Sequence, residues 1–384
     1  MSNNSRRNPS GSGRDIYSSS GRRRTSQPSG DIDRYNYYVD RDIYSSSKSY
    51  SKNRRKPARK KKRGCGTKLL AGIVCTLFIL AAGVAAYSYI MLSRVDRSDN
   101  VDSDDMGQYV QQPSGAPSWG IISNNNVFNI LLMGIDKNKD GSDGRSDTNI
   151  LVSINKDSKK IHLVSFMRDT YLDIPTVGKT KFNAAFANGG AALTMQTLEN
   201  NFRVNIDKYV SVNCDNFEDI IDKMGGIDVE MTKEAARYEN KVMGSSLKEG
   251  TNHLNGKLCL YYARMRYVTD KDGSNDFGRT ARQRQIVSLI ISKVKSLNPI
   301  KANKIMYDYL PYVKTNLTDS ELVYLASIAV TASNYDMDKM QVPAQNAFQS
   351  EKINGADVLV PDLEKNCQLL REFLYGSSSS SDES

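Results

Sequence analysis

The sequence is poor in the residue types on which many small catalytic and metal sites depend. Only two His occur among 384 residues, which argues against His-based triads and multi-His metal sites. Five Cys are present, and no two of them form a CxxC pair. A zinc ribbon or a thioredoxin-like site is therefore not expected.

A net positive charge is also lacking outside the N-terminal region of the chain. Residues 1–68 contain 19 Lys and Arg against 5 Asp and Glu, a net of +14. Residues 69–92 contain no charged side chain, and residues 93–384 contain 34 basic against 38 acidic side chains, a net of −4. The overall charge of +10 therefore belongs to a tail, and a basic globular domain that binds nucleic acid is excluded.

Residues 69–92 form one long apolar run, LLAGIVCTLFILAAGVAAYSYIML. These 24 uncharged residues would form a helix about 36 Å long, which is enough to cross a hydrocarbon core of roughly 30 Å. A cleaved signal peptide and a buried core helix are the alternatives, but a signal peptide has a shorter apolar run near the start of the chain. The run therefore predicts a single transmembrane helix.

The charges around this run predict its orientation. The segment RRKPARKKKR (54–63) precedes it, whereas five Asp follow it within residues 93–105. By the positive-inside rule, residues 1–68 form a cytoplasmic tail that also contacts anionic membrane lipid, and the remainder lies outside the cell. The Ser- and Arg-rich composition predicts that this tail is disordered.

Three further regions follow the run. Residues 93–126 are polar and predict an extracellular linker, residues 127–375 have the composition of one globular domain, and residues 376–384 form a Ser-rich tail. Apolar runs and helical spacing interleave through the domain without strict alternation of strand and helix. They predict an α/β fold with three layers, α/β/α, around a central mixed sheet.

An acidic loop follows the first predicted strand and reads DKNKDGSDGRSD (136–147). Its spacing resembles an EF-hand loop, but such a loop requires a helix on each side, and this one lies between strands. A solvated turn is a second alternative. We favour a loop in which Asp136 and Asp147 bind a divalent cation beside Arg145.

Two further charged groups lie at the ends of predicted elements. Arg168 and Asp169 follow the third strand, where open α/β sheets bind ligands, although a purely local ion pair is the alternative. Asp276 opens a group of arginines around the predicted helix 280–297. Guanidinium forks near a helix N-terminus favour phosphate oxygens. The five arginines are Arg264, Arg266, Arg279, Arg282 and Arg284.

Six segments together resemble the LytR-CpsA-Psr family, in the expected order across residues 127–296. Met167 is a departure, because the family usually has Pro before Arg-Asp-Thr. The segments are NILLMGID (129–136), GRSDTNILVSI (144–154), SFMRDTYLDIP (165–175), KFNAAFANGG (181–190), MGGIDVEM (224–231) and YARMRY followed by DFGRTARQRQ (262–285).

The resemblance implies an enzyme that moves a glycopolymer from a polyprenyl-pyrophosphate carrier to cell-wall peptidoglycan. The link formed is a phosphodiester, so the reaction is a phosphoryl transfer aided by Mg²⁺ or Mn²⁺. The partners implied are the lipid-linked glycan, peptidoglycan and membrane lipid, with no nucleic acid. The topology agrees, since members typically have one span and an outer domain.

The resemblance also implies roles for individual residues. Asp136 and Asp147 would hold the metal, and Asp276 would accept the proton of the attacking hydroxyl, with Arg168 and Asp169 beside it in the catalytic group. The pyrophosphate-binding set comprises Arg145, Arg168, Arg264, Arg266, Arg279, Arg282 and Gln283.

Two other functions remain open on the sequence alone. A polyprenyl-pyrophosphate phosphatase would use the same site with water as the acceptor. A non-catalytic envelope regulator or scaffold would instead signal through the cytoplasmic tail.

Overall fold

The computed structural model describes residues 113–137, 143–269, 275–296 and 310–376, with scattered positions in 76–96 and 304–308. The predicted tail 1–68 and residues 377–384 lie outside these residues, as do most of the predicted span 69–92 and most of the acidic loop. Among the positions that the structure describes, no helix has both the length and the apolar character needed to cross a membrane.

The domain contains twelve strands and seven helices within the described ranges. The strands are β1 (Val127–Lys137), β2 (Asp143–Asn155), β3 (Lys160–Phe166), β4 (Tyr171–Ile174), β5 (Gly178–Lys181), β6 (Lys208–Asn213), β7 (Ile227–Met231), β8 (Gly250–Leu254), β9 (Val313–Thr315), β10 (Asp336–Val342), β11 (Phe348–Ile353) and β12 (Ala356–Pro361). The helices are α1 (Ala184–Phe202), α2 (Cys214–Lys223), α3 (Lys233–Met243), α4 (Gly256–Arg264), α5 (Asn275–Ser296), α6 (Asp319–Thr331) and α7 (Leu363–Tyr375).

Six strands form the central mixed sheet, in the order β10-β3-β2-β1-β6-β9. β2 is antiparallel to both β1 and β3, while β1 is parallel to β6 and β3 is parallel to β10. The apolar runs of β1, β2 and β3 are almost entirely buried, as expected for strands covered on both faces. The prediction of a mixed α/β domain with a central mixed sheet is confirmed.

Helices cover both faces of this sheet. On one face, Leu131, Leu151 and Val164 pack in a cluster with residues of α1 and α7. On the other face, Ile150 and Leu163 pack with residues of α5 and α6. Successive strand residues point to opposite faces, so neighbours in β2 enter different clusters.

A third apolar cluster lies beside the sheet and contains residues of α2, α3, α4 and the hairpin β7–β8. Ile286 of α5 packs in this cluster, while Val287 packs against the cluster on the sheet. Helix α5 therefore joins the two apolar clusters, which fixes the position of its N-terminal residues relative to the sheet.

Side-chain caps define where several helices begin. Asn213, Thr232 and Asn255 each accept a hydrogen bond from a backbone N–H in the first turn of α2, α3 and α4, respectively. Such caps satisfy N–H groups that have no partner within the helix. Helix α1 has non-helical dihedral angles at Gly189 and Gly190, where φ of Gly190 is +60°, a value that favours glycine.

Part of the segment assigned to the linker packs on the domain. Ile122 N–H donates to the Arg203 carbonyl at 3.1 Å, and the Tyr375 hydroxyl donates to the Ile122 carbonyl at 3.1 Å. Trp119 packs against the cluster that contains α1 and α7. The folded domain therefore includes residues N-terminal to 127, because these apolar side chains bury surface against it.

Candidate active site

One edge of the sheet gathers the charged residues that the sequence singled out. Since β1, β3 and β6 point in one direction and β2 in the other, the ends of β1, β3 and β6 meet the start of β2 at this edge. Asp136 lies at the end of β1, Asp147 near the start of β2 and Arg168 just after β3. This is the edge at which α/β sheets commonly bind ligands.

Arg168 is the centre of this edge. Its Nη1 donates to Asp147 Oδ2 at 2.7 Å, and its Nε lies 3.2 Å from Asp276 Oδ2 and 3.4 Å from Asp169 Oδ2. Burial lowers the pKa of Arg168, but Asp147, Asp276 and Asp169 raise it above its ordinary value. The guanidinium group is therefore charged and held in a fixed orientation by three carboxylates.

Two further arginines contact Asp276, which lies in the first turn of α5. Arg266 Nε is 3.3 Å from Asp276 Oδ1, and Arg279 Nη2 is 3.4 Å from Asp276 Oδ2. Arg266 also approaches Asp147, at 3.9 Å. We call Arg168, Arg266 and Arg279, with Asp147, Asp169 and Asp276, the Arg168 cluster.

Arg279 differs from the other arginines of the cluster in being almost completely buried, at 4% exposed. Burial, with repulsion from Arg168 and Arg266, lowers its pKa to about 10, against the attraction of Asp276. Its Nε is buried and has no hydrogen-bond partner among the described residues. A buried donor of this kind is costly unless a ligand oxygen satisfies it.

Lys181 and Asn183 complete the surroundings of the carboxylates. Lys181 Nζ is 2.7 Å from Asp169 Oδ1, and Asn183 Nδ2 donates to Asp147 Oδ1 at 3.3 Å. Burial raises the pKa of Asp169, but its contacts with the carboxyl of Asp276 and with Lys181, and the charge of Arg168, lower it below its usual range. Both residues lie within the segment KFNAAFANGG, and no role for either was predicted from the sequence.

A second group, the Arg264 cluster, lies at the same edge and contains Arg264, Asp136 and Cys214. Arg264 Nη2 is 2.7 Å from Asp136 Oδ1 and 2.8 Å from Cys214 Sγ. Burial raises the pKa of Cys214 to about 11, so its thiol is protonated at neutral pH and donates to Asp136 Oδ1 at 3.3 Å. No motif in the sequence indicated a role for Cys214.

Arg282 lies apart from both clusters. Helix α5 begins five residues before the predicted start, so Arg282 and Gln283 lie beyond its first turn. Arg282 is 0% exposed, and its Nη2 donates to the Met265 carbonyl at 2.7 Å. A side chain enclosed in this way cannot reach a surface ligand, and its contact ties α5 to the segment after α4.

Arg145 and Gln283 belong to neither cluster. Arg145 is exposed on β2 and Gln283 is half-buried on α5, and neither side chain forms a hydrogen bond or ion pair with the described residues. The structure thus brings six of the residues proposed from the sequence into one cluster and two into a second.

The metal proposed at Asp136 and Asp147 would rely on few protein ligands. In the described part of the chain, no group of three or more His, Cys, Asp or Glu could hold a metal ion alone. Mg²⁺ characteristically binds one or two carboxylates and completes its shell with water and substrate phosphates. Asp136 and Asp147 offer two carboxylates of this kind at one edge of the sheet, each also paired with an arginine, whereas Ca²⁺ requires a larger cage of oxygens.

The chain matches the LytR_cpsA_psr family over residues 86–372. It is 35% identical over 264 residues to the polyisoprenyl-teichoic acid–peptidoglycan teichoic acid transferase TagU of Enterococcus faecalis, covering 67% of this chain and 81% of that protein. It is 32% identical over 259 residues to the regulatory protein MsrR of Staphylococcus aureus, covering 66% of this chain and 76% of that protein.

A solved structure shows the same fold. The LytR-CPS2A-psr family protein YwtF (TagT) of Bacillus subtilis, with bound octaprenyl pyrophosphate lipid, superposes with a TM-score of 0.51 at 25% identity. The match covers 68% of this chain and 96% of that one. The family match spans most of the chain, so this protein belongs to the LytR-CpsA-Psr family.

Proposed function

We propose that this protein transfers a glycopolymer from a polyprenyl-pyrophosphate carrier to peptidoglycan and forms a phosphodiester link. The observation that carries the proposal is the Arg168 cluster with its buried, unpartnered Arg279 Nε. Guanidinium groups bind phosphate oxygens through charge-assisted hydrogen bonds, which strengthen where water is excluded. The E. faecalis relative is a teichoic acid transferase by name, and a family member binds octaprenyl pyrophosphate.

Charge balance supports this substrate. The Arg168 cluster with Lys181 contains four cationic and three anionic side chains, a net of +1. A pyrophosphate diester carries about two negative charges, so the cluster alone leaves about one of them uncompensated. Mg²⁺ (or Mn²⁺) bound to Asp136 and Asp147 would neutralise the charge that develops on the pyrophosphate oxygens.

The residues have distinct tasks in this reaction. Arg168, Arg266 and Arg279 hold the non-bridging oxygens and fix the orientation of the phosphorus. The oxygen of an acceptor hydroxyl forms a new bond to the phosphorus that bears the glycan, while the bond to the bridging oxygen breaks and polyprenyl phosphate leaves. Asp276, whose position is fixed by three arginines, receives the proton of the hydroxyl.

The membrane topology predicted from the sequence agrees with this function. The helix predicted at 69–92 would anchor the chain in the cell membrane, with the N-terminus in the cytoplasm and the catalytic domain outside. The domain would then meet both the lipid carrier and the wall. Cell fractionation followed by protease digestion of intact protoplasts would test this topology, since only the outer domain should be degraded.

Reconstitution tests the reaction itself. The full chain in detergent is incubated with Mg²⁺, a polyprenyl-pyrophosphoryl glycan and uncross-linked peptidoglycan, and the products are identified by mass spectrometry. Lipid monophosphate together with glycan-phosphate joined to peptidoglycan is the expected result. Lipid monophosphate with free glycan-phosphate would instead establish a phosphatase.

A regulator is the second candidate, and the similarity to the regulatory protein MsrR is what favours it. A regulator that acts through its cytoplasmic tail should lose its cellular effect when residues 1–68 are deleted. An enzyme should keep its activity in vitro after the same deletion. Tight binding of the donor without any product would also favour the regulator.

A further inference from the structure

A cavity of about 630 Å³ lies beside the Arg168 cluster and is open to solvent. Asp169 and Asp276 line one side of it, and the hairpin β11–β12 lines the other, with Ser350 and Val358 among its residues. Two carboxylates therefore belong both to the Arg168 cluster and to the wall of the cavity, which we call the hairpin groove.

The hairpin is fixed to the cluster by specific contacts. The Leu359 N–H of β12 donates to the Asp169 carbonyl at 3.0 Å, beside an isolated bridge between Thr170 and Leu359. Phe348 of β11 stacks on Phe277 of α5, with ring centroids 5.6 Å apart. These contacts place the hairpin wall of the groove at a defined position relative to Asp169 and Asp276.

The chemistry of the groove is opposite to that of the arginines. Among the described residues that line it there is no arginine and one cation, Lys352, whereas four carboxylates line it. Asp169 and Asp276 are already paired with cations of the Arg168 cluster, so the charge on the hairpin side is that of Glu351 and Asp357 against Lys352, a net of −1. This charge disfavours an anionic donor, and carboxylate oxygens accept hydrogen bonds from hydroxyl groups. The carboxylates are those of Asp169, Asp276, Glu351 and Asp357.

Apolar surface in the groove suits the face of a sugar ring. Phe277, which stacks on Phe348, and the almost buried Val358 contribute apolar surface to the lining among the carboxylates. A site that combines apolar surface with a few placed acceptors is typical of pockets for neutral polar ligands.

We propose that the hairpin groove binds the acceptor glycan of the transfer reaction and presents one of its sugar hydroxyls to the donor phosphorus. The inference rests on the proposed function and adds the location and chemical class of the acceptor. The donor would lie on the arginine side of Asp276 and the acceptor on the hairpin side. The hydroxyl proton would pass to Asp276 as the oxygen bonds to phosphorus.

A matched pair of variants on one strand tests this inference. Ser350→Trp fills the groove, whereas Gln349→Trp places the same side chain on the neighbouring residue, which is exposed and does not line the groove. Only Ser350 of these two positions lines the groove, so the pair separates the effect of filling the groove from the effect of adding an indole to β11. Thermal unfolding of both full-length variants establishes that each is folded.

Two measurements on these chains give separate results. Ser350→Trp should raise the KM for uncross-linked peptidoglycan strands by about tenfold or more, without changing donor affinity measured by calorimetry, while Gln349→Trp should change neither. Co-sedimentation with the same glycan strands measures acceptor binding without catalysis and should show the same contrast.

The possible outcomes separate the inference from the proposed function. Equal acceptor KM and equal glycan binding in the two variants would overturn the inference, even with full transfer activity. Loss of donor affinity in Ser350→Trp would also overturn it, because the groove would then belong to the donor. If the unchanged chain binds glycan strands but transfers nothing, and Ser350→Trp loses this binding, the result would support the groove as a glycan site and refute the transferase.

Discussion

Two regions of this domain bury carboxylates, and the pKa of the carboxyl group is lowered in one region and raised in the other. In the Arg168 cluster, burial alone would raise the pKa of Asp169, yet its contacts with Asp276 and Lys181 and the charge of Arg168 lower it. On α3, Glu239 is 0% exposed, and neither of its carboxyl oxygens has a hydrogen-bond partner among the described residues. Burial there raises the pKa to about 7.

The difference shows what the arginines contribute before any ligand binds. A buried carboxylate without a partner favours its neutral form, because removing a charge from water is costly. A carboxylate that is paired with guanidinium groups stays ionised, and the ion pairs hold its side chain in one orientation. The cluster therefore maintains fixed charges at a position where phosphate oxygens can bind with little reorganisation.

The largest expected effect follows from removing the shared partner of the carboxylates. Arg168→Ala should lower transfer by about a thousandfold or more, because a fixed cation is lost and three carboxylates lose their common partner. Initial rates with the reconstituted donor and acceptor measure the loss. Arg168→Lys keeps the charge without the planar fork and should restore only part of the activity.

A folded Arg168→Ala protein with normal turnover would remove this residue from the site. Circular dichroism and thermal unfolding establish whether the variant is folded. The same comparison applies to Arg282→Lys, which should affect stability more than transfer, because Arg282 contacts the Met265 carbonyl within the core.

The next effect concerns the metal. Asp147→Asn should raise the Mg²⁺ concentration needed for half-maximal activity by roughly 10- to 100-fold, since it removes one of the two proposed carboxylate ligands. Asp143→Asn is the control on the same strand, because Asp143 pairs with Lys314 at 2.9 Å, outside the cluster. Overlapping Mg²⁺ titrations of the two variants would contradict the metal role.

A smaller loss is expected in the Arg264 cluster, which is about half exposed. The Arg264 side chain is 51% exposed and that of Asp136 is 46% exposed, against 19% for Arg168. Water screens these charges, so Arg264→Ala should lower kcat/KM by only about tenfold. Arg237→Ala on the exposed face of α3 is the control. If Arg264→Ala lost as much activity as Arg168→Ala, the exposure of the two side chains would not explain their contributions to transfer.

The smallest effect on transfer is expected on α3. Because the pKa of Glu239 is raised from 4.5 to about 7, its contribution to stability is fully present below about pH 4.5 and is lost as the pH rises through about 7. At pH 8 the free energy of unfolding of Glu239→Gln should therefore exceed that of the unchanged chain by on the order of 1 to 3 kcal/mol. Transfer should be unaffected.

Thermal unfolding at pH 5 and pH 8 measures this difference in stability. The gain in Tm for Glu239→Gln should be clearly larger at pH 8. An equal gain at both pH values would show that Glu239 does not titrate between them, and the contrast with Asp169 would fail.

The strands that support the site could be predicted from the sequence, because β1, β2 and β3 are continuous apolar runs. Arg168 was placed correctly at the end of β3 for the same reason. Its contact with Asp276, 108 residues away, could not be derived from periodicity, which carries no information on which elements meet. The resemblance to a family placed these residues together.

The elements that were missed are short or polar. Strands β4 and β5 have only four residues each, and α3 and β11 have many exposed residues, so no long apolar run marks these elements. Strand β11, and with it the hairpin β11–β12, was missed on these grounds, and the hairpin groove depends on that hairpin. Arg279 and Arg282 lie three residues apart on α5, and only the position of the helix decides which of them reaches the cluster.

Transfer in water enriched in ¹⁸O identifies the attacking oxygen and so distinguishes a transferase from a phosphatase. The full chain is supplied with donor, Mg²⁺ and uncross-linked peptidoglycan, and the mass of the glycan-phosphate product is measured. The proposed transferase reaction gives glycan-phosphate joined to peptidoglycan without ¹⁸O, because a sugar hydroxyl supplies the attacking oxygen. Free glycan-phosphate that contains one ¹⁸O would contradict it, because water would then be the acceptor.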